Sequence, residues 1–331
     1  MPPRRTPDEW LASVACPAKS GPAMIARIRI QNYKSIEGAE FEARRVNVFI
    51  GEPNSGKSNL LEAIGFCSQG ILGIMPELFR IQQPSDLFFD RDIERTVAIY
   101  LEPAMEWTLA FGAGKFKGSM KTDGATQSFA PHPHPFSPRG LPQGPAWEGG
   151  LSESTIRYYR YRSLRKGEWN GVSYGHLLPP YGSNLPNLLF TNKAVRDSVS
   201  AFFREKGYRL ELRAHENEIL MSKEVNDVLY SFPFESISET MRRIVFYKAA
   251  LESNKDAILI LDEPESNTFP FYTKYLAERI ALDTSNQFFL TTHNPYVLMS
   301  IIEKTPSLDL AVHVTRMRNY RTEVHLLVQR P

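Results

Sequence analysis

Eight consecutive residues, Gly51-Glu52-Pro53-Asn54-Ser55-Gly56-Lys57-Ser58, satisfy the pattern G-x-x-x-x-G-K-[ST] at every position. Residues of these types at this spacing hold the phosphates of a nucleoside triphosphate. A glycine-rich loop turns backbone N–H groups inward, and the positive end of the helix behind it favours an anion. Lys57 can reach the β- and γ-phosphates, and the Ser58 hydroxyl can ligate Mg²⁺.

Two further groups supply what such a site needs to act on a phosphate. Asp262-Glu263-Pro264-Glu265 follows the apolar run Ala257-Ile258-Leu259-Ile260-Leu261. Adjacent carboxylates at the end of a buried strand suit magnesium chemistry, with Asp262 holding the ion and Glu263 orienting or deprotonating the attacking water. Thr291-Thr292-His293-Asn294-Pro295 closes another apolar run, Gln287 to Leu290, which places His293 to sense a γ-phosphate.

These groups require a strand before each. Val46-Asn47-Val48-Phe49-Ile50 reads as a buried strand, and Ser58 to Cys67 as a helix carrying Leu60, Leu61, Ile64 and Phe66. Thr96 to Leu101 and Trp107 to Phe111 read as a hairpin. Asn192 to Glu205 reads as a helix stopped by Gly207. Strands are then expected at Tyr208 to Leu212, Glu218 to Met221 and Val228 to Tyr230, and a helix at Ser238 to Ser253. After a helix at Phe271 to Leu282, the strands Leu310 to Val314 and Val324 to Val328 complete the pattern. The fold class is α/β, with a mixed central sheet, an antiparallel β subdomain and a helical or irregular lid insertion.

The expected organisation is a disordered extension over 1–23 and one domain over 24–331. The domain divides into an N-terminal lobe 24–112, a flexible insertion or lid 113–191 and a C-terminal lobe 192–331. Residues 113–152 hold many glycines and prolines and few aliphatics, which suits a flexible loop. His132 and His134 lie there without a third ligand nearby and are read as loop residues.

An apolar content of 42% in 331 residues suffices for a packed core. No stretch approaches the ~18 apolar residues of a membrane span, and the N-terminus lacks the apolar core of a leader, so the expected location is the cytoplasm, with no membrane partner. Cys16 and Cys67 form no C-x-x-C spacing and read as reduced thiols. A net charge of +2 does not by itself argue for nucleic acid. Arg157-Tyr158-Tyr159-Arg160-Tyr161-Arg162 interleaves cations and aromatics as a nucleic-acid platform would, although it also fits an amphipathic strand with solvated arginines.

Ile28-Arg29-Ile30-Gln31-Asn32-Tyr33-Lys34-Ser35-Ile36, together with Gly51 to Ile64, resembles the amino-terminal lobe of the ABC/SMC-like ATPases, a group that includes RecF-type and OLD-type proteins. Asp262 to Glu265 and Thr292 to Pro295 resemble the Walker B and switch-histidine segments of that group. The resemblance implies ATP and Mg²⁺ as cofactors. Nucleotide-binding positions fall at Gly51, Asn54, Ser55, Gly56, Lys57, Ser58 and Asn59, and Lys57, Glu263 and His293 are the catalytic residues. It also implies two heads pairing over sandwiched ATP, each γ-phosphate being capped by a signature segment from the other subunit. Phe234 to Arg243 occupies the signature position without its glycines, so Ser236 or Ser238 takes the phosphate role. Ser238 also fits a plain helix cap. The family's Mg²⁺-linked glutamine is Gln82 or Gln83. Lys34 resembles a basic residue near the nucleotide, or is an exposed strand-end lysine.

The function expected from all this is a slow ATPase whose head pairing gates a separate effector, such as a nuclease, in DNA maintenance or anti-phage defence. Room for a C-terminal nuclease domain of its own is not expected, and nucleic acid is a possible partner. A nucleotide-dependent scaffold that closes without hydrolysis is the alternative. A small-molecule kinase is disfavoured because it leaves Asp262 to Glu265 and His293 unexplained.

Overall fold

The computed structural model describes residues 24–68, 76–122, 125–129 and 155–327. Its centre is a sheet of β3 (Val46–Gly51), β8 (Ile156–Tyr159), β12 (Ile258–Asp262), β13 (Gln287–Thr291), β14 (Leu310–Arg318) and β15 (Arg321–Leu326). The strand order is β15-β14-β3-β13-β12-β8, and every pairing is parallel except the terminal hairpin β14–β15. Val46, Val48, Leu259, Leu261, Phe288 and Leu290 face one core, whereas Phe49, Ile258, Ile260 and Phe289 face another. A strand that buries both faces needs apolar residues at successive positions, which accounts for the uninterrupted runs in the sequence.

One core is shared with helices α2 (Leu185–Thr191), α3 (Lys193–Glu205), α4 (Glu239–Ser253), α5 (Pro270–Leu282) and α6 (Pro295–Lys304). The other encloses α1 (Lys57–Phe66), which packs between the central sheet and an antiparallel sheet. That second sheet contains β1 (Arg27–Tyr33), β2 (Ile36–Glu42), β4 (Val97–Glu102), β5 (Met105–Gly112), β6 (Lys115–Thr122) and β7 (Ala125–Phe129), in the order β2-β1-β4-β5-β6-β7. A small three-stranded sheet, β9 (Arg209–Arg213), β10 (Glu218–Val225) and β11 (Val228–Pro233), stands apart from these two.

Helix starts follow side-chain chemistry. The Asn192 side chain accepts from Val195 N at 3.2 Å, Ser238 from Met241 N at 3.3 Å and Asn294 from Tyr296 N at 2.9 Å, satisfying first-turn donors that the helix leaves free.

The described part of the insertion is more ordered than its composition suggests. β6 and β7 extend the antiparallel sheet, because Phe116 packs on Phe111 and Phe88 at ring separations of 4.8 and 5.7 Å. The expected extension 1–23, Cys16, His132 and His134 lie outside the described residues. Cys67 is a buried free thiol. Arg157 to Arg162 is not an exposed stacking surface: Tyr158 and Tyr159 are fully buried, Arg157 bonds Asn254, Arg160 reaches the Leu78 carbonyl at 3.3 Å, and Arg162 pairs with Glu168 at 2.8 Å. Among the described residues, no helix is long and apolar enough to cross a membrane.

Candidate functional site

β3, β13 and β12 are adjacent parallel strands, so their carboxyl ends stand side by side. The loop 51–58 leaves β3, Glu263 leaves β12 and His293 leaves β13. An open cleft of about 330 Å³ lies against them, lined by Asn54 to Asn59, Glu263 and His293, with Ser35, Pro53, Arg80 and Met317 at its margins.

The loop owes its shape to two glycines and one asparagine. Gly56, at φ +90° ahead of α1, could not carry a side chain, since a Cβ there would lie 1.9 Å from Thr322 Oγ1. A Cβ on Gly51 would come within 2.3 Å of the Thr315 carbonyl. Asn54 takes a left-handed φ of +61°, which asparagine tolerates better than most residues. Lys57 Nζ folds onto the loop's own carbonyls, donating to Gly51 O at 2.9 Å and Glu52 O at 2.8 Å. Burial lowers its pKa from the ordinary lysine range, against the opposing pull of Glu263 and Asp262.

Across the cleft, Ser58 Oγ donates to Asp262 Oδ1 at 3.3 Å, and Thr291 Oγ1 donates to the same oxygen at 2.7 Å. A hydroxyl and a carboxylate in contact are an all-oxygen donor set suited to Mg²⁺, which takes one or two carboxylates and fills its octahedron with phosphate and water. No cluster of three His, Cys, Asp or Glu side chains is found among the described residues, so a cage of the kind zinc uses is not part of this set. Glu263 sits at a left-handed φ of +43°, its N–H donating to Thr291 Oγ1 at 3.0 Å. Its carboxylate accepts from Ser266 Oγ at 3.0 Å and lies 3.0 Å from His293 Nε2. Both partners of that pair are about 40% exposed on the cleft side.

The remaining residues singled out in the sequence lie elsewhere. Lys34 occupies the β1–β2 turn, where its amine donates to Glu62 Oε2 and to the Phe79 carbonyl. Glu62 is fully buried and also accepts from Arg80 Nε at 2.7 Å. Burial lowers the Lys34 pKa against the pull of Glu62. Gln82 and Gln83 are exposed, donate their backbone N–H groups to Asp86 Oδ2 at 2.8 and 3.0 Å, and do not line the cleft. Ser236 Oγ donates to the Pro233 carbonyl at 2.7 Å and Ser238 caps α4; both are exposed and away from the cleft.

Arg80, Ser35, Thr291, Thr315 and Thr322 also support the site, and no sequence motif assigns them a role there. Arg80 Nη2 donates to Asn59 Oδ1 at 3.0 Å, and Asn59 Nδ2 to Ser35 Oγ at 2.7 Å, so a polar chain runs along one rim of the cleft. Thr291 alone carried a signal, as the last residue of an apolar strand beside His293.

The family model described as "AAA domain, putative AbiEii toxin, Type IV TA system" matches residues 125–300, a span that holds Asp262, Glu263 and His293 and excludes the loop 51–58. No curated protein matches. Among solved structures, the fold is similar to an SMC head bound to the C-winged helix domain of ScpA, at 14% identity and a TM-score of 0.55, covering 92% of this chain and 98% of that one. It is also similar to an Smc head domain with an extended coiled coil, bound to the C-terminal domain of ScpA and derived from Pyrococcus furiosus. There the identity is 12% and the TM-score 0.50, with 92% and 96% covered.

Proposed function

Because the chain belongs to this AAA-domain family and has the fold of an SMC-type P-loop ATPase head, we propose that it binds and hydrolyses ATP, and that ATP-dependent pairing of two heads gates a partner protein. One observation carries the reading: residues 53–58, Glu263 and His293 line one open cleft at the carboxyl ends of three neighbouring strands, and Asp262 is in contact with Ser58 of that loop.

The backbone N–H groups of residues 54–58 and the Lys57 amine bind the phosphates. Lys57 exchanges its two loop carbonyls for phosphate oxygens, a gain because charge-assisted hydrogen bonds are the stronger kind. Ser58 and Asp262 are the residues to hold Mg²⁺, which when bound neutralises phosphate charge. Glu263, held by Ser266, takes a proton from the attacking water. His293 orients that carboxylate and faces the same space.

Pairing is supported by the open side of the cleft and by apolar side chains beside it. Phe269 and Phe271 at the start of α5, and Tyr296 and Met299 on α6, are each more than half exposed, and both helices begin at the carboxyl edge that carries Glu263 and His293. Such exposure marks association surfaces. The similar SMC heads are each bound to a domain of ScpA, which supports a protein partner here. Defence or DNA maintenance is the setting we propose, and the cytoplasm the location.

The second reading, closure on ATP without productive hydrolysis, draws on Ser236 and Ser238. Both hydroxyls are already committed to contacts within their own chain.

Mg-ATP binding, phosphate release and light scattering of the wild type, Lys57→Ala and Glu263→Gln separate these readings. Hydrolysis predicts that Lys57→Ala loses affinity, while Glu263→Gln binds ATP, pairs, and turns over at least about 100-fold more slowly. A wild type that pairs on ATP without releasing phosphate establishes the scaffold. Unchanged mass for every variant removes head pairing.

A further inference from the structure

The phosphate loop is built against the hairpin β14–β15, which lies more than 250 residues away in sequence. Thr315, 1% exposed, donates from Oγ1 to the Ile50 carbonyl at 3.1 Å and lies 2.6 Å from Ser55 Oγ. A hydroxyl has one proton, so with Thr315 committed to Ile50, Ser55 must donate to Thr315. The Ser55 proton is thereby turned away from the cleft, and its lone pairs face Lys57 Nζ at 3.5 Å.

Thr322, 2% exposed, occupies the space a side chain on Gly56 would need. Its N–H donates to the Ser35 carbonyl at 2.8 Å, and its hydroxyl meets Ser35 Oγ at 2.7 Å. Met317 is the register partner of Thr322 and itself lines the cleft. Thr315, Met317 and Thr322 therefore share the hairpin face applied to the loop, since alternate residues of a strand, and directly opposed ones, share a face.

From these contacts we infer that Thr315 and Thr322 are positioning residues for the nucleotide phosphates, holding the loop in its binding shape before ATP arrives. The inference rests on the nucleotide-binding reading. A loop already ordered loses less freedom on binding, and its N–H groups need not reorient. Neither threonine touches the phosphates; each acts through Ser55, Gly51 or Gly56.

The test compares the full-length wild type with Thr315→Val, Thr315→Ser and Thr322→Ala, at a temperature where circular dichroism shows each folded. Amide exchange of residues 52–57 is followed without nucleotide, and Mg-ATP affinity is measured by calorimetry. Thr315→Val should exchange these amides at least about tenfold faster and bind Mg-ATP at least about tenfold more weakly, as expected for loss of one or more net hydrogen bonds, whereas Thr315→Ser keeps both wild-type values. Thr322→Ala, which removes the bulk packed beside Gly56, carries the same expectation and serves if Thr315→Val does not fold. Wild-type exchange in Thr315→Val and Thr322→Ala overturns the inference whether or not nucleotide binds. Faster exchange with unchanged affinity also overturns it, because the support then does nothing for the phosphates. A wild type that does not bind Mg-ATP removes the nucleotide reading and with it the positioning role, while the exchange data still report whether the hairpin holds the loop.

Discussion

Thr292 donates its hydroxyl proton to the carboxylate of Glu265, and this buried contact ties the loop carrying His293 to the loop carrying Glu263. Burial raises the Glu265 pKa above the ordinary carboxylate range, with the Thr292 hydrogen bond opposing the shift, and its other oxygen has no partner among the described residues. The exposed pair Glu263–His293 therefore sits above a buried one that sets the spacing of its loops.

Glu265→Ala should separate the two loops. It leaves the Thr292 hydroxyl without its acceptor, a loss of about 1–3 kcal/mol in stability, and slows ATP turnover by about tenfold or more with little change in Mg-ATP affinity. Glu265→Gln can still accept from Thr292 and should keep most of the turnover. Thermal melts and phosphate release check this; equal turnover in all three proteins would leave Glu265 without the role.

His293→Ala acts on the exposed pair instead. It should lower the turnover number by about tenfold to 100-fold while the affinity for Mg-ATP stays within about threefold, because His293 meets Glu263 and not the loop that binds the phosphates. Single-turnover phosphate release against equilibrium titration separates the two effects. A parallel loss of affinity would assign His293 to binding.

The strongest pH effect on stability should come from buried imidazoles. His313 is fully buried on β14, stacked on Phe49 at 5.0 Å and 4.9 Å from Phe41, with both ring nitrogens lacking partners among the described residues. Burial pushes its pKa down to about 4, and His176 shifts the same way to about 4. The unfolded chain takes up these protons first, so their contribution is fully present above the ordinary value near 6.5 and is lost as pH falls through about 4. For His313 alone the loss across that window is of order 3 kcal/mol. His313→Phe should flatten the decline and raise stability at pH 5; urea unfolding at pH 7 and pH 5 reads it, and an undiminished slope would place the effect elsewhere.

Gly65 looks like a weak point in α1, where alanine is the better helix former by about 1 kcal/mol. A Cβ at Gly65 would nevertheless lie 2.6 Å from Tyr158 Cδ1, and both residues are buried in the same core region. Gly65→Ala should therefore destabilise by about 1–3 kcal/mol through overpacking, and Tyr158→Leu should relieve part of that cost. A raised melting temperature for Gly65→Ala would show that the ring can move.

Much of this is legible in the amino-acid sequence. The runs Val46 to Ile50, Ala257 to Leu261 and Gln287 to Leu290 announce strands buried on both faces, and a polar group at the end of each is conspicuous because nothing in the core calls for it. The supports of the site gave no such signal. Thr315 and Thr322 look like ordinary strand threonines until β14 is laid beside β3, and Arg80 lies in an irregular stretch whose partners, Glu62 and Asn59, come from a helix. β6 has no strand signature in the sequence because Lys115 to Thr122 carries little apolar surface of its own and depends on Phe111 and Phe88 for packing.

The placement of β3 sets an order on how this protein comes into being. Its two sheet neighbours are β13 and β14, so Val46 waits for Phe288 on one side and Leu310 on the other. During synthesis the phosphate loop is made well before β13 and β14, and 260 further residues must follow Ser55 before it can meet Thr315. Until then Val48 and Phe49 present an unpaired apolar strand to solvent, the kind of segment that chaperones shield. Pairings this distant also make folding slow. A growing chain therefore lacks the assembled cleft until β13 and β14 have paired with β3.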